Sequence, residues 1–451
     1  MAERVRVAVT GLGVRTPGGN DLRTFWDTLI AGRSTARTIT SFDASSLPVG
    51  FACQVPGFDT APYVTGKQAR RMDRATLLAV CAADDALADA GLIDPSGMSG
   101  LGGPGGLAGA SVPPERRAVV TGTALGGNET AEATLLGAAY AAPPSLPPAG
   151  SPAGPLTGPP TGPPGAGAQP SALYVPRIMP NASAAFVSMR HQILGPSLTV
   201  STACASGGHT IGEGLRLLRD GSADLVVAGG TEACVSPTIL LAFHRCGALS
   251  QRVNEPECAS RPFDAARDGF VLAEGAAFVV LERLEDAVRR GARVYAELSG
   301  YGRTSDAHHL TTPDPKGEGA ERCVRQALAD AGLRTGDVAH VNAHGSGTPL
   351  NDITEAQVIA RLCGPGQVPV TSTKSILGHA IGAAGAIEAV VSVLTLHERL
   401  IHPTINLDVQ DPECEIDVVR RPRPLGPGAV VSNSFAFGGH NASLVFTSAR
   451  P

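Results

Sequence analysis

Missing from the sequence is any Cys-x-x-Cys pair, although it contains nine cysteines. An odd number without ligand spacing makes neither a disulfide framework nor a zinc site, and it fits a reducing cytoplasm. A surplus of positive charge is also missing: 36 Lys and Arg stand against 41 Asp and Glu, a formal net charge of -5. That excludes a dedicated nucleic-acid binder and leaves any basic recognition to a local patch. No charged segment with a long apolar stretch behind it opens the chain. Met1-Ala-Glu-Arg-Val-Arg6 leads straight into a strand at Val5 to Val9, so no export signal is expected. The longest apolar helical run, Ala380 to Leu396, is short for a membrane span and carries Glu388. It predicts a buried core helix and no membrane association.

A third glycine is absent from Gly11-Leu-Gly13-Val-Arg-Thr16, where Thr16 takes its place and Pro17 follows instead of a helix. This predicts a strand and turn rather than a dinucleotide site. With 451 residues and a hydrophobic fraction of 43%, the chain is long enough for two domains or one large two-part fold. Two stretches rich in Pro and Gly, about 97–114 and 141–170, read as insertions rather than domain boundaries.

An internal repeat organises the rest. Ala86-Leu-Ala-Asp-Ala-Gly-Leu92 recurs identically as Ala327-Leu-Ala-Asp-Ala-Gly-Leu333, closing a helix each time. In the same order, Val7-Ala-Val-Thr-Gly-Leu-Gly13 is echoed by Ala296-Glu-Leu-Ser-Gly-Tyr-Gly302, and Val119 to Thr123 by His340 to His344. Ser201-Thr202 is echoed by Ser372-Thr373, His209-Thr-Ile-Gly212 by His379-Ala-Ile-Gly382, and Leu225 to Gly230 by Ala429 to Asn433. The chain therefore reads as two copies of one α/β unit, residues 1–291 and 292–451. Alternating strands and helices predict a mainly parallel sheet covered by helices, with equivalent turns of the two copies facing one site.

Copy one supplies Ser197-Leu-Thr-Val-Ser-Thr-Ala-Cys-Ala-Ser-Gly-Gly-His209. Leu198, Thr199 and Val200 predict a buried strand, and a helical pattern starts at Ile211. Cys204 then sits on a strand-to-helix turn, where N–H groups and the helix dipole are expected to acidify its thiol towards a nucleophilic thiolate. Copy two supplies His344 and His379, each in a glycine-rich turn after a strand, together with Lys374. Neither histidine has a close second metal ligand, His397 and His402 lie five apart and so face different sides of a helix, and His308-His309 reads as loop. No metal site is expected.

Thr202-Ala-Cys204-Ala-Ser-Gly, His344-Gly-Ser-Gly-Thr348-Pro, Lys374-Ser-Ile-Leu-Gly-His379 and Asn433-Ser-Phe-Ala-Phe437-Gly-Gly439 resemble the signature blocks of the β-ketoacyl-acyl carrier protein synthases. The resemblance implies a thiolase-like α/β fold of two duplicated halves in five α-β-α-β-α layers, and a dimer. It implies that Cys204 carries the acyl chain, that His344 and His379 stabilise the enolate formed when malonyl-carrier protein loses CO2, and that Lys374 supports their network. The N–H groups of Cys204 and Phe437 would form the oxyanion hole, with Phe437 also gating acyl entry. Ser346 and Thr348 would contact the pantetheine arm or malonyl group, Leu125 the acyl tunnel, and Tyr174 the partner's tunnel across the dimer interface.

By the same resemblance Lys67, Arg71 and Arg245 would dock an acidic acyl carrier protein by salt-sensitive steering. Gly247 stands where a docking arginine is expected. No cofactor is implied, because the substrates ride on the carrier's phosphopantetheine. Subunits that set chain length without catalysis lack the cysteine, which is present here. A thiolase would need a second cysteine near the C-terminus, and Phe437-Gly-Gly-His-Asn441 has none. Between a dissociated polyketide ketosynthase and a housekeeping fatty-acid elongating enzyme, His344-Gly-Ser-Gly-Thr348, the Gly247 position and the insertions favour polyketide. The partner subunit is expected to be a second copy or a chain-length-factor-like chain.

Overall fold

β-branched and apolar residues in short runs form an eleven-stranded sheet. A computed structural model describes residues 4–94, 107, 110–141 and 171–449. The two insertions read from composition lie largely outside these described residues. In chain order the sheet strands are β1 (Val7–Arg15), β2 (Arg117–Gly122), β3 (Ser197–Val200), β4 (Leu225–Glu232), β5 (Gly275–Arg283) and β6 (Ala296–Ser305). They continue with β7 (Val338–Asn342), β8 (Pro369–Thr371), β9 (Asp417–Val418), β10 (Ala429–Ala436) and β11 (His440–Thr447). The principal helices are α1 (Arg74–Asp89), α2 (Ala182–His191), α3 (Ser206–Arg219), α4 (Pro237–Arg245), α5 (Glu318–Ala331), α6 (Pro349–Cys363) and α7 (Ala384–Glu398).

The strand order is β9-β8-β7-β10-β11-β6-β1-β5-β4-β2-β3. Half of it, β3-β2-β4-β5-β1, has the connectivity of the other half, β8-β7-β10-β11-β6, so the sequence repeat is a repeat of topology. The halves join where β1 and β6 pair antiparallel, Ala8 opposite Glu297 and Val9 opposite Ala296. α3 and α7 pack on each other between the two half-sheets, while α1 and α2 cover the outer face of the first and α5 that of the second. These are the five layers of the thiolase-like architecture.

The sheet is mixed, not mainly parallel. β2 pairs parallel with β3 and β4, and β7 with β8 and β10, but β5 runs antiparallel to β1 and β4, and β11 antiparallel to β6 and β10. In each half the last strand runs antiparallel to both of its neighbours, which alternation of strands and helices does not reveal. β3 is the expected strand but not a buried one: it lies on the sheet edge, with Leu198 46% exposed.

Gly11 and Gly13 belong to β1 itself, not to a turn after it. A Cβ at Gly13 would stand 2.0 Å from the carbonyl oxygen of Ala82 in α1, and one at Gly302 would stand 2.0 Å from that of Cys323 in α5. The Gly-x-Gly strands and the alanine-rich helices thus recur together because helix backbone rests directly on strand backbone in both halves. Gly13→Ala and Gly302→Ala are each expected to destabilise by about 1–3 kcal/mol or more, read as a lower urea midpoint; unchanged midpoints would contradict the close packing. α7 is mostly apolar and is buried from Ala384 to Leu396, Glu388 included, as expected of the run Ala380 to Leu396.

Candidate active site

The turn before α3 is built from small residues that share hydrogen bonds. Ser206 Oγ donates to the Ala203 carbonyl (2.7 Å) and accepts from the Thr202 N–H (2.9 Å), closing the chain so tightly that Ala203 takes φ 49°. Cys204 projects from this turn and is 9% exposed. The helix begins at Ser206, five residues earlier than the pattern from Ile211 predicts. His209 therefore lies inside α3, whereas His379 precedes α7, so these two are not structural equivalents.

The second half brings His379 Nε2 to 3.1 Å from Cys204 Sγ. Its Nδ1 is buried with no hydrogen-bond partner among the described residues, which assigns the ring hydrogen to Nε2, facing the sulfur. The ring of His344 meets that of His379 edge-on at 5.4 Å, and Phe270 covers the other side of His379 at 5.1 Å.

Lys374, fully buried, donates from Nζ to the His344 carbonyl (2.6 Å), to His344 Nδ1 (3.3 Å) and to Glu388 Oε1 of α7. Because the ammonium has hydrogens only to give, His344 Nδ1 must accept and its hydrogen sits on Nε2. The His344 loop is held from below by Glu355 of α6, whose two oxygens accept the N–H groups of His344 (2.9 Å) and Gly345 (2.8 Å). Burial pushes the carboxyls of Glu355 and Glu388 up to about 7. Burial, followed by the Lys374 charge, holds both histidines well below the ordinary value of 6.5, so both are neutral donors at neutral pH.

The thiol departs from expectation. Burial pushes Cys204 up to about 12, against the opposing pull of Lys374. The sulfur sits in an apolar enclosure two residues ahead of the helix, where loss of hydration outweighs the dipole.

Around this cluster lies a cavity of about 800 Å³ whose walls include Cys204, His344, His379, Ser346, Thr348, Leu125 and Phe437. Ser346 and Thr348 share a hydrogen bond of 2.9 Å. Phe437 is exposed at the end of β10, and its loop is tied back by Gly438 N–H donating to the Leu310 carbonyl (2.7 Å). Cys246 and Gly247, next to the exposed Arg245 at the end of α4, also border the cavity. Lys67 and Arg71 are exposed at the short helix Gly66–Ala69, away from the cavity wall. Tyr174, half-buried on Tyr174–Ile178, does not line this chain's cavity. Among the described residues, no group of three His, Cys, Asp or Glu is placed to hold a metal ion.

Sequence reasoning missed Glu355 and Phe270, and it read Glu388 as structural although it pairs with Lys374. Glu355 sits mid-helix among apolar residues, where the one signal is a carboxylate on a buried face.

A second buried chain stands behind Lys374. His402 donates from Nδ1 to the Pro403 carbonyl (2.9 Å) and accepts at Nε2 from Thr371 (3.2 Å), whose hydroxyl also meets His340 (2.9 Å). Burial pushes His402 down to about 4 from its ordinary 6.5. As pH falls, the unfolded chain therefore takes up this proton first, and the stability that neutral His402 gives above pH 6.5 is lost towards pH 4. His402→Asn is expected to be less stable than the native protein at pH 7.5, with the gap narrowing by about 3 kcal/mol on acidification, at roughly 1.4 kcal/mol per pH unit. Unfolding curves across this range check it; a constant gap would refute it.

A cysteine thiol and two neutral imidazoles thus meet where the duplicated halves join, in a chain of thiolase-like architecture. Residues 4–141 and 161–287 match the beta-ketoacyl synthase N-terminal domain, and residues 295–408 match the C-terminal domain. The chain belongs to the β-ketoacyl synthase family and is a C–C bond-forming acyltransferase. It is 38% identical over 449 residues to the 3-oxoacyl-[acyl-carrier-protein] synthase 2 of Synechocystis sp., covering 98% of each chain. It is equally identical to that of Coxiella burnetii, covering 99% of each. Among solved structures it resembles the ishigamide ketosynthase/chain length factor, with TM-score 0.85, 34% identity, and coverage of 99% of this chain and 100% of that one. A type II PKS acyl-carrier protein in complex with its ketosynthase bound to the hexaketide gives TM-score 0.83 and 28% identity, again covering 99% and 100%.

Proposed function

We propose that the protein is a 3-oxoacyl-acyl carrier protein synthase that serves as the chain-extending ketosynthase of a type II polyketide pathway in the cytoplasm. The observation that carries this reading is the 3.1 Å approach of His379 Nε2 to Cys204 Sγ, with His344 alongside. Cys204 attacks the thioester of an acyl chain delivered on a carrier protein's phosphopantetheine, and the thiol proton leaves with the departing pantetheine thiolate. Malonyl-carrier protein binds next, with Ser346 and Thr348 along its arm. Its carboxylate leaves as CO2, and the electron pair of the broken C–C bond forms an enolate whose oxygen accepts from Nε2 of His344 and His379.

The enolate carbon then attacks the Cys204 thioester. The N–H groups of Cys204 and Phe437 hold the developing oxyanion, and collapse expels the Cys204 thiolate and leaves a 3-oxoacyl chain two carbons longer. Lys374, fixed by Glu388, keeps the hydrogen of His344 on Nε2. Burial of the histidines preserves them as neutral donors, and phosphopantetheine on the carrier supplies the handle that a free cofactor otherwise would. Leu125 borders the acyl path and Phe437 stands at its mouth. Tyr174 reaches the tunnel of a partner subunit, and Lys67, Arg71 and Arg245 steer the acidic carrier. The unit boundary lies between residues 291 and 292.

The solved ketosynthase/chain length factor and hexaketide-bound ketosynthase support the polyketide reading and a partner subunit. The 38% identity to 3-oxoacyl-[acyl-carrier-protein] synthase 2 favours the second reading, saturated fatty-acid elongation by a homodimer. Product analysis with malonyl-carrier protein as sole extender separates them. Repeated condensation to poly-β-ketone products without intervening reduction supports polyketide synthesis. Arrest at one condensation until a reductase is added, with long saturated acyl chains preferred, supports fatty-acid elongation.

A further inference from the structure

One buried carboxylate ties together the two loops that frame the nucleophile, and the catalytic steps above leave it without a role. Glu232 ends β4 and is fully buried. Its Oε1 accepts from Thr123 Oγ1 (3.0 Å) and the Leu125 N–H (3.2 Å), while Oε2 accepts from the N–H groups of Ala124 (2.8 Å) and Gly382 (3.0 Å). Three of these donors belong to the turn after β2, where Ala124 and Leu125 wall the cavity. The fourth follows His379 by three residues, beyond the cavity-lining Ile381, which is held at φ 43°.

Contact on the Gly382 side is close enough to exclude a side chain: a Cβ there would stand 2.5 Å from both Glu232 Oε2 and the Ala124 nitrogen. One oxygen thus spans from the tunnel wall of the first half to the histidine loop of the second. Glu232 is also the largest nearby negative influence opposing ionisation of Cys204.

We propose that Glu232 is a positioning residue for condensation, fastening the Leu125 turn to the His379 loop so that acyl chain, Cys204 and His379 keep one geometry. Four donors on two oxygens need a carboxylate. In Glu232→Gln one oxygen becomes an NH2 group facing N–H donors, and that corner of the clamp opens. The inference rests on the ketosynthase reading of Cys204 and His379.

The test uses the full chain and compares the native protein with Glu232→Gln and with Thr123→Val, which removes one of the four bonds and keeps the charge. Three quantities are read: acylation of Cys204 by acyl-carrier protein, condensation kcat, and iodoacetamide alkylation of Cys204 against pH. For Glu232→Gln, kcat is expected to fall about tenfold or more while Cys204 still reaches full acylation. Its alkylation profile is expected to shift to lower pH as the negative charge is removed, making the thiol severalfold more reactive at pH 7.5. A merely structural role would not lower turnover and raise thiol reactivity together. Thr123→Val is expected to lower kcat about two- to threefold with an unmoved alkylation profile. Native turnover in both variants, or in Thr123→Val when Glu232→Gln does not fold, overturns the positioning role alone. Absence of any acyl adduct on Cys204 in the native protein overturns the ketosynthase reading and the inference with it.

Discussion

Cys204→Ala is expected to abolish acyl-enzyme formation and to lower condensation by at least about 10³-fold, with the fold intact. Among the described residues Cys204 Sγ is the one thiol in the cavity within hydrogen-bond reach of His379 Nε2, and on the proposed mechanism alanine leaves nothing to hold the acyl chain between the two half-reactions. Loss of a sulfur from a turn of Ala203, Ala205 and Ser206 removes little packing, so a melting temperature near the native one should accompany the loss. Carrier-protein assays of acyl transfer and of 3-oxoacyl product, run beside thermal unfolding, check both halves. Residual condensation within tenfold of native would place the acyl chain on another group.

Glu388→Ala should cost the most stability of any single change near the site, about 3–5 kcal/mol. Lys374 and Glu388 are each 2% exposed at the side chain, so removing the carboxylate strands an ammonium that has, among the described residues, only His344 to receive its hydrogens. With Nζ no longer anchored by the carboxylate, His344 Nδ1 loses the fixed donor that keeps its hydrogen on Nε2. Condensation should fall along with stability. The double variant Lys374→Met, Glu388→Leu separates the two effects, since a matched apolar pair restores stability without restoring the donor to His344. Thermal unfolding and turnover of both variants give the comparison. A double variant that recovers turnover would show that Lys374 serves the fold alone.

The architecture was legible where local pattern and packing coincide. Gly11-x-Gly13 and Gly300-x-Gly302 recur with Ala86 to Leu92 and Ala327 to Leu333 because each glycine pair admits the helix that carries its partner segment, so one steric demand wrote the same words twice. Cys204, His344 and His379 were visible for a related reason: the chain must turn sharply at the end of a strand to present them, and sharp turns need small residues. What depends on distant chain was not legible. The strand β3 has the β-branched composition of a core strand, yet nothing in Ser197–Val200 says that it forms the edge of the sheet among the described residues. Helix N-terminal position alone suggests an acidic thiol, whereas the burial that raises it comes from both halves closing over the sulfur. Glu355 and Glu232 carry no turn signature, and their roles emerge only when loops far away in sequence place N–H groups on their oxygens.

The most direct measurement is a pulse and chase on the purified protein. It is loaded with an isotopically labelled acyl-carrier protein, its Cys204 peptide is weighed, and malonyl-carrier protein is then added. The label should first appear on Cys204 as a thioester, then leave it on addition of malonyl-carrier protein and emerge, two carbons longer, as 3-oxoacyl-carrier protein with one CO2 released per chain. Label that stays on Cys204 while CO2 is released, or that never reaches Cys204 although the product forms, would contradict the account.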